Sequence, residues 1–190
     1  MRLTTLQQES TVGGCSLETT VIEVPSECKA LAETMRALVD AVVAQMRSLG
    51  NRGRSVDYGK VEVEVGEKTA AVEREAHRAL LGALDVDVPA VVVDGVRHSR
   101  AGRFNGSYYT LAGAVVIERT LYRSAEGPCF DAISLRAGVV GDGWLPRTAR
   151  AMAQQVARVP SREAEVSAME VGRIPYSRSS RNVSMGDETT

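Results

Sequence analysis

The sequence has few of the residues that build membrane spans, disulfide frameworks and metal sites. No apolar run reaches the length of about 18 residues that a membrane span needs, so we expect none. The start, MRLTTLQQESTVGG, lacks the basic and then apolar pattern of a signal peptide. Cys15, Cys28 and Cys129 form no C-x-x-C pair, and His77 and His98 are the only histidines. We therefore expect a cytoplasmic protein with reduced thiols and no zinc site.

Motifs for catalysis are also missing. The sequence has no Gly-x-Ser-x-Gly elbow, no phosphate loop ending in Gly-Lys-Ser/Thr and no His-Glu-x-x-His. Phosphoryl transfer by two metals needs carboxylates that hold the ions about 4 Å apart. The acids of the second half form no recognisable set, and Asp85, Asp87 and Asp94 fit caps and turns beside short strands. We expect neither enzymatic activity nor a metal or other cofactor.

Positive charge is concentrated in the second half of the chain. The net charge is −1, but residues 1–95 carry 10 basic and 15 acidic side chains. Residues 96–182 carry 13 arginines, no lysine and 7 acids. The guanidinium group of arginine can bind two phosphate oxygens at once, so this segment favours phosphate recognition. A solvated basic face without a ligand is the alternative interpretation.

Two amphipathic helices are predicted in residues 26–86. Ser26 can cap the first, Gly50 can end it, and its apolar stripe comprises Leu31, Met35, Leu38, Val42, Met46 and Leu49. The second helix carries Val72, Ala76, Ala79, Leu80 and Ala83, and we expect the two stripes to pack together. Residues 61–66 alternate valine with glutamate, which fits a strand or the start of the second helix. Residues 1–25 lack sustained periodicity, and we expect a disordered arm.

Residues 87–130 are predicted to form a small antiparallel β region. AVVV and VRH flank Asp94-Gly95, a pair that accepts the positive φ angles of a tight hairpin turn. A second strand pair, 104–111 and 115–123, is joined through Ala112-Gly113. Arginines and aromatics interleave here: Arg97, Arg100, Arg103, Phe104, Tyr108, Tyr109, Arg119, Tyr122 and Arg123. Such a surface can hold a phosphate backbone or stack bases. Alternatively, the aromatics fill the inner face of the sheet and the arginines solvate the outer one.

The pattern of residues 131–176 is typical of a helix-turn-helix-like unit, although a plain helical hairpin has the same pattern. Pro146 fits the first position of a helix with Arg147, Arg150, Gln154 and Arg158 on one side and Ala149, Met152, Ala153 and Val156 opposite. Asp142, between two glycines, fits a turn. Ser161 can cap a second helix that Gly172 closes. Residues 177–190 have no apolar periodicity and are expected to be disordered. The predicted fold class is α+β.

Three stretches resemble one protein family. They are GRFNGSYYTLAGAVVIERTLYR, ISLRAGVVGDGWLPRTARAMA and SREAEVSAMEVGRIPYSRSS. In this order they resemble the DDE transposases of the ISKra group of bacterial insertion sequences, in the region before the catalytic domain. The resemblance covers roughly residues 90–180. After Ser180 the sequence departs from the family, in which an apolar helix continues. Cys129 stands alone where family members carry cysteine pairs, so no zinc knuckle is implied.

The resemblance implies a truncated or frameshifted amino-terminal fragment. In the family, the acidic catalytic residues follow in an RNase H-like domain that binds divalent metal, so this fragment would bind DNA at the element ends without cutting it. Ten arginines are predicted to contact DNA: Arg97, Arg100, Arg103, Arg119, Arg123, Arg147, Arg150, Arg158, Arg173 and Arg178. Two alternatives stay open. The stripe from Leu31 to Leu49 fits a protein–protein module that forms a homo-oligomer, and the fragment could also be a non-functional remnant.

Overall fold

The computed structural model describes residues 4–12, 15–50, 57–125 and 127–158, together with Val166. Helices and antiparallel sheets are both present, which confirms the predicted α+β class. The chain begins with strands β1 (Thr4–Val12) and β2 (Cys15–Val21), which pair antiparallel. The lack of apolar periodicity predicts a disordered arm here. The repeated threonines and valines, which favour extended backbone, account for the strands instead.

Two long helices follow this hairpin. A 3-10 turn, Ser26–Cys28, leads into α1 (Lys29–Gly50), and α2 spans Tyr58–Gly82. Ser26, the predicted cap, is instead the first residue of this turn, and the turn closes through Cys28 N–H donating to the Pro25 carbonyl over 2.9 Å. Residues 61–66 are helical. Val61 and Val65, four residues apart, are partly buried while Val63 is exposed, which is helical rather than strand alternation.

The main sheet has four antiparallel strands in the order β3-β4-β5-β6: β3 (Ala90–Val93), β4 (Val96–Thr110), β5 (Gly113–Arg123) and β6 (Phe130–Asp131). Asp94 and Gly95 have φ values of 50° and 79°, so the predicted hairpin turn is confirmed. The two predicted strand pairs share β4, which runs unbroken through SRAG with an irregularity between Arg100 and Gly102. A bulge accommodates this polar, glycine-containing stretch within the strand.

The core lies between the sheet, α2 and a short helix, α3 (Ala132–Ala137). Its buried members are Leu81, Tyr108, Val115, Ile117 and Ile133. Asp131 caps α3 by accepting a hydrogen bond of 2.7 Å from the Ser134 N–H. The helix ends at Gly138, whose φ of 64° is the left-handed conformation that glycine adopts without strain.

Helix α4 (Pro146–Arg158) is held on the end of β4. Tyr109 N–H donates to the Gly143 carbonyl over 2.8 Å, and Leu145 N–H donates to the Tyr109 carbonyl over 3.1 Å. Pro146 begins α4 and Asp142 lies in a turn, as predicted. Apart from Val166, which is helical, the predicted second helix of the helix-turn-helix-like unit and the tail lie outside the described residues. Every helix among the described residues is too short or too polar to span a lipid bilayer.

Candidate nucleic-acid interface

Arg100 and Arg103 of β4 both bind the carboxylate of Asp87. Arg100 Nε lies 2.7 Å from Asp87 Oδ1, and Arg103 Nη1 lies 3.1 Å from Asp87 Oδ2. The second nitrogen of Arg103, Nη2, lies 3.2 Å from Glu118 Oε2 and 3.9 Å from Asp85 Oδ2. The guanidinium groups of both predicted DNA-binding residues therefore already face carboxylates of the same chain.

The loop between α2 and β3 places these carboxylates. Asp85 accepts hydrogen bonds of 3.1 Å from both the backbone N–H and the hydroxyl of Thr120 on β5. Tyr122 fixes the next part of the loop, because its hydroxyl donates to the Val86 carbonyl over 2.6 Å and accepts from the Val88 N–H over 3.1 Å. Neutral, buried anchors thus hold the acidic loop against the arginines of β4.

Arg119 of β5 is part of a buried polar network. Its Nη1 lies 2.7 Å from Asp131 Oδ2 and 3.2 Å from the Tyr108 hydroxyl, which itself donates to Asp131 Oδ1 over 2.9 Å. Burial raises the pKa of the Tyr108 phenol, so this hydroxyl remains a donor at neutral pH. Gly106 leaves room for the Arg119 side chain, which a Cβ at that position would strike. The network joins β4, β5 and the start of α3.

Arg97 and Arg123 have a different environment. Both are exposed, and neither forms an ion pair with another described residue. Arg123 pairs with Ser99, two positions from Arg97 on β4, so strand alternation puts both side chains on one face of the sheet. They lie about 40 Å along β4 from the strand end that holds α4, at about 3.4 Å per residue. These two arginines and those of α4 therefore form separate surfaces.

On α4 the arginines point to solvent. Arg147 and Arg150 are exposed and, like Arg97 and Arg123, pair with no acid in the described ranges. The opposite side of the helix is held by Thr148 and Met152, which are 2 % and 7 % exposed. Ala153 is predicted to face the core but is exposed. It lies beyond the small cluster that Met152 forms with Trp144. The side chain of Arg158, and all of Arg173 and Arg178, lie outside the described residues.

The tyrosines of the β region do not form an exposed stacking surface. Tyr108 and Tyr122 are fully buried, and Tyr109 stacks on Trp144 with ring centroids 4.6 Å apart. Phe104, 53 % exposed, is the exception among these aromatics. The interpretation that the tyrosines pack within the fold is therefore the better one. Nothing in the sequence indicated that Trp144 attaches α4 to the sheet, because its stacking partner Tyr109 is distant along the chain.

The structure offers no metal centre in the ranges it describes, where no three His, Cys, Asp or Glu side chains are grouped to hold an ion. Of the ten predicted arginines, Arg100, Arg103 and Arg119 bind carboxylates, whereas one pair on the sheet and one pair on α4 have no carboxylate partner among the described residues. Comparisons of the chain with models of known protein families, with curated proteins and with solved structures found no match.

Proposed function

We propose that the chain binds DNA phosphates through the exposed side of α4, as the DNA-handling amino-terminal part of an insertion-sequence transposase similar to the ISKra group. The observation that carries the proposal is the exposure of Arg147 and Arg150 without a carboxylate partner among the described residues. The sequence resemblance supports the choice of family, and the exposure of these two arginines supports the choice of surface.

The electrostatics of α4 favour an anion. Its 13 residues, PRTARAMAQQVAR, include three arginines and no acid. The amino-terminal end of a helix carries partial positive charge and free N–H groups, so acidic residues are usually preferred in the first turn. Here Arg147 occupies that turn instead, and adds its full charge to the helix dipole. Asp142 precedes the helix but pairs with neither arginine.

The attachment of α4 fixes where these charges lie. Trp144 stacks on Tyr109 of β4, and Met152 packs in the same cluster. Ala149 N–H donates to the Leu145 carbonyl over 2.9 Å, which continues the helix from the segment bonded to β4. A phosphate-binding helix held on a sheet loses less conformational entropy on binding than a free helix would.

The proposal is tested by fluorescence anisotropy with a labelled mixed-sequence DNA duplex at increasing salt. The wild-type chain should bind with log affinity that falls linearly as log salt rises. Arg147→Glu/Arg150→Glu should weaken binding strongly and reduce the salt slope by about 2, since each arginine that binds a phosphate adds about one to that slope. Duplexes from element ends then show whether sequence contributes beyond charge.

Lys29→Glu/Lys60→Glu is the matched control. It makes the same change in net charge at two exposed lysines, whose side chains are 79 % and 86 % exposed, in the acidic half of the chain. We expect it to bind DNA nearly as well as wild type. Equal losses of affinity for both double variants would show that only net charge matters, and undiminished binding by the α4 variant would refute the proposed surface.

A further inference from the structure

Helix α1 carries a line of apolar side chains that the described fold leaves open. Met35, Val39, Val42 and Met46 are 45 %, 59 %, 36 % and 62 % exposed. Their spacing of four, three and four residues is the a and d spacing of a heptad repeat, which keeps them in one line along the helix. We refer to these four residues as the α1 seam. Exposing such a line of apolar side chains to water is unfavourable, so it indicates a surface that another group covers.

The neighbouring helix covers a different line. Leu31, Leu38 and Gln45, seven residues apart, are partly buried, and Gln45 Nε2 donates to Glu64 Oε2 of α2 over 2.6 Å. None of the described side chains of α1 is fully buried. The apolar face of α1 is therefore broader than α2 covers, as in a helix of a bundle that has two neighbours.

The spacing of the seam has two-fold symmetry. The midpoint between Met35 and Met46 is also the midpoint between Val39 and Val42. In a two-fold contact, residue i of one subunit meets residue j of the other and j meets i. We propose that α1 packs antiparallel against α1 of a second copy of this chain, with Met35 against Met46 and Val39 against Val42. This proposal does not rest on DNA binding.

The charges of α1 are compatible with that pairing. No charged residue lies on the seam, and Lys29–Glu33 and Arg36–Asp40 form ion pairs within the helix. Pairing along the seam therefore buries no charge. At a rise of 1.5 Å per residue, α1 is about 33 Å long, which allows about three heptads.

The proposed contact is continuous with the α1–α2 interface, because the seam adjoins the line that α2 covers. The α1–α2 helix pairs of two copies would meet as a four-helix arrangement, in which the two α1 seams form the centre and the α2 helices flank them. A second copy is thus the partner whose shape and symmetry the seam fits.

The oligomeric state of the full chain, measured by analytical ultracentrifugation over a concentration series, tests the proposal. We expect a dimer for wild type. Val39→Glu places a charge at the centre of the seam in each copy and should raise the dimer dissociation constant by about 100-fold or more. Circular dichroism and thermal unfolding of the variant monomer should remain close to wild type, because Val39 is exposed within one chain.

Val63→Glu is the matched control, since Val63 is an equally exposed valine, 61 %, on α2 and outside the seam. It should remain dimeric. A monomeric wild-type chain at the highest soluble concentration overturns the proposal, and so does dissociation of Val63→Glu together with Val39→Glu. A monomer that Val39→Glu strongly destabilises would show instead that the chain covers its own seam.

The orientation has its own test. A chain with Val39→Glu and a chain with Val42→Lys should each be largely monomeric, whereas their mixture should form a heterodimer in which Glu at 39 meets Lys at 42. In a parallel pair position 39 would meet position 39, so a mixture of Val39→Glu and Val39→Lys chains would associate instead. That second result would overturn the antiparallel arrangement.

Discussion

Arg119 Nη1 lies 2.7 Å from Asp131 Oδ2, and this ion pair joins β5 to the residue that caps α3. Asp131 also accepts hydrogen bonds from the Tyr108 hydroxyl and from the backbone and hydroxyl of Ser134. A carboxylate with so many donors is satisfied although its side chain is only 5 % exposed. Arg119, predicted as a DNA contact, is therefore bound within the fold.

Arg119→Met should destabilise the protein through this network. Loss of the guanidinium leaves the buried Asp131 carboxylate with less compensation, and because Arg119 is 27 % exposed we expect a loss of about 2 kcal/mol rather than the larger cost at a fully buried site. Urea unfolding measures the change. Arg123→Met, at an exposed arginine on the same strand, should alter the free energy of unfolding by less than about 0.5 kcal/mol. Equal effects of the two variants would contradict the role of the network.

Tyr108 should make stability fall at alkaline pH. Burial raises its pKa above 10.0, so the folded state holds the phenolic proton more tightly than the unfolded state. The associated stability is fully present below pH 10 and is lost as pH rises through the higher pKa of the folded protein. Unfolding measured between neutral and strongly alkaline pH should show this decline. Tyr108→Phe should have a lower plateau, because it loses the bond to Asp131, and a shallower decline. An unchanged slope would contradict the assignment.

Gly143→Ala should disrupt the contact that holds the segment before α4 on the end of β4. Gly143 has a φ of 115°, and an added Cβ would strike the backbone carbonyl of Ser107, which cannot move as a side chain does. We expect a loss of about 3 kcal/mol from strain and clash together. Gly82→Ala is the opposite case, because a Cβ there meets nothing within 4 Å and the residue is helical. It should stabilise the protein by about 0.5 kcal/mol. Thermal unfolding distinguishes the two, and a harmless Gly143→Ala would refute the clash.

Single arginine variants should affect DNA affinity unequally. Arg147→Met removes a charge that has no carboxylate partner in the described part of the chain and should weaken binding by about fivefold to tenfold. Arg100→Met removes a charge that Asp87 already compensates and should have a much smaller effect. Anisotropy titrations at one salt concentration compare the variants. Equal losses of affinity for Arg100→Met and Arg147→Met would contradict the prediction, because they would mean that the Arg100–Asp87 ion pair breaks when DNA binds.

Several elements could be predicted from local pattern. The helix α1, the Asp94-Gly95 turn and the helix beginning at Pro146 all appear as expected, because each depends on residues within a few positions. The predicted packing of the whole α1 stripe on α2 is wrong, because Met35, Val42 and Met46 are exposed. The continuity of β4 through the bulge near Arg100 could not be predicted in this way, since β5 supplies the pairing from more than 20 positions away. Strands β1 and β2 were not predicted, and a disordered arm was expected in their place. Their residues lack the apolar periodicity on which the prediction relied, and their pairing becomes visible only in the structure.

The sequence by itself determined helix α1, the start of α4, the tight turn at Asp94-Gly95 and the concentration of arginine in the second half. Only the tertiary structure decided which arginines are free. Asp87 comes to Arg100 and Arg103 because the loop after α2 is bonded to Thr120 and Tyr122, and Asp131 comes to Arg119 because it caps α3. Charge composition is a property of the chain, whereas the pairing of each charge depends on contacts between distant segments. The same holds for the α1 seam: its apolar spacing is written in the sequence, but its exposure follows from where α2 packs.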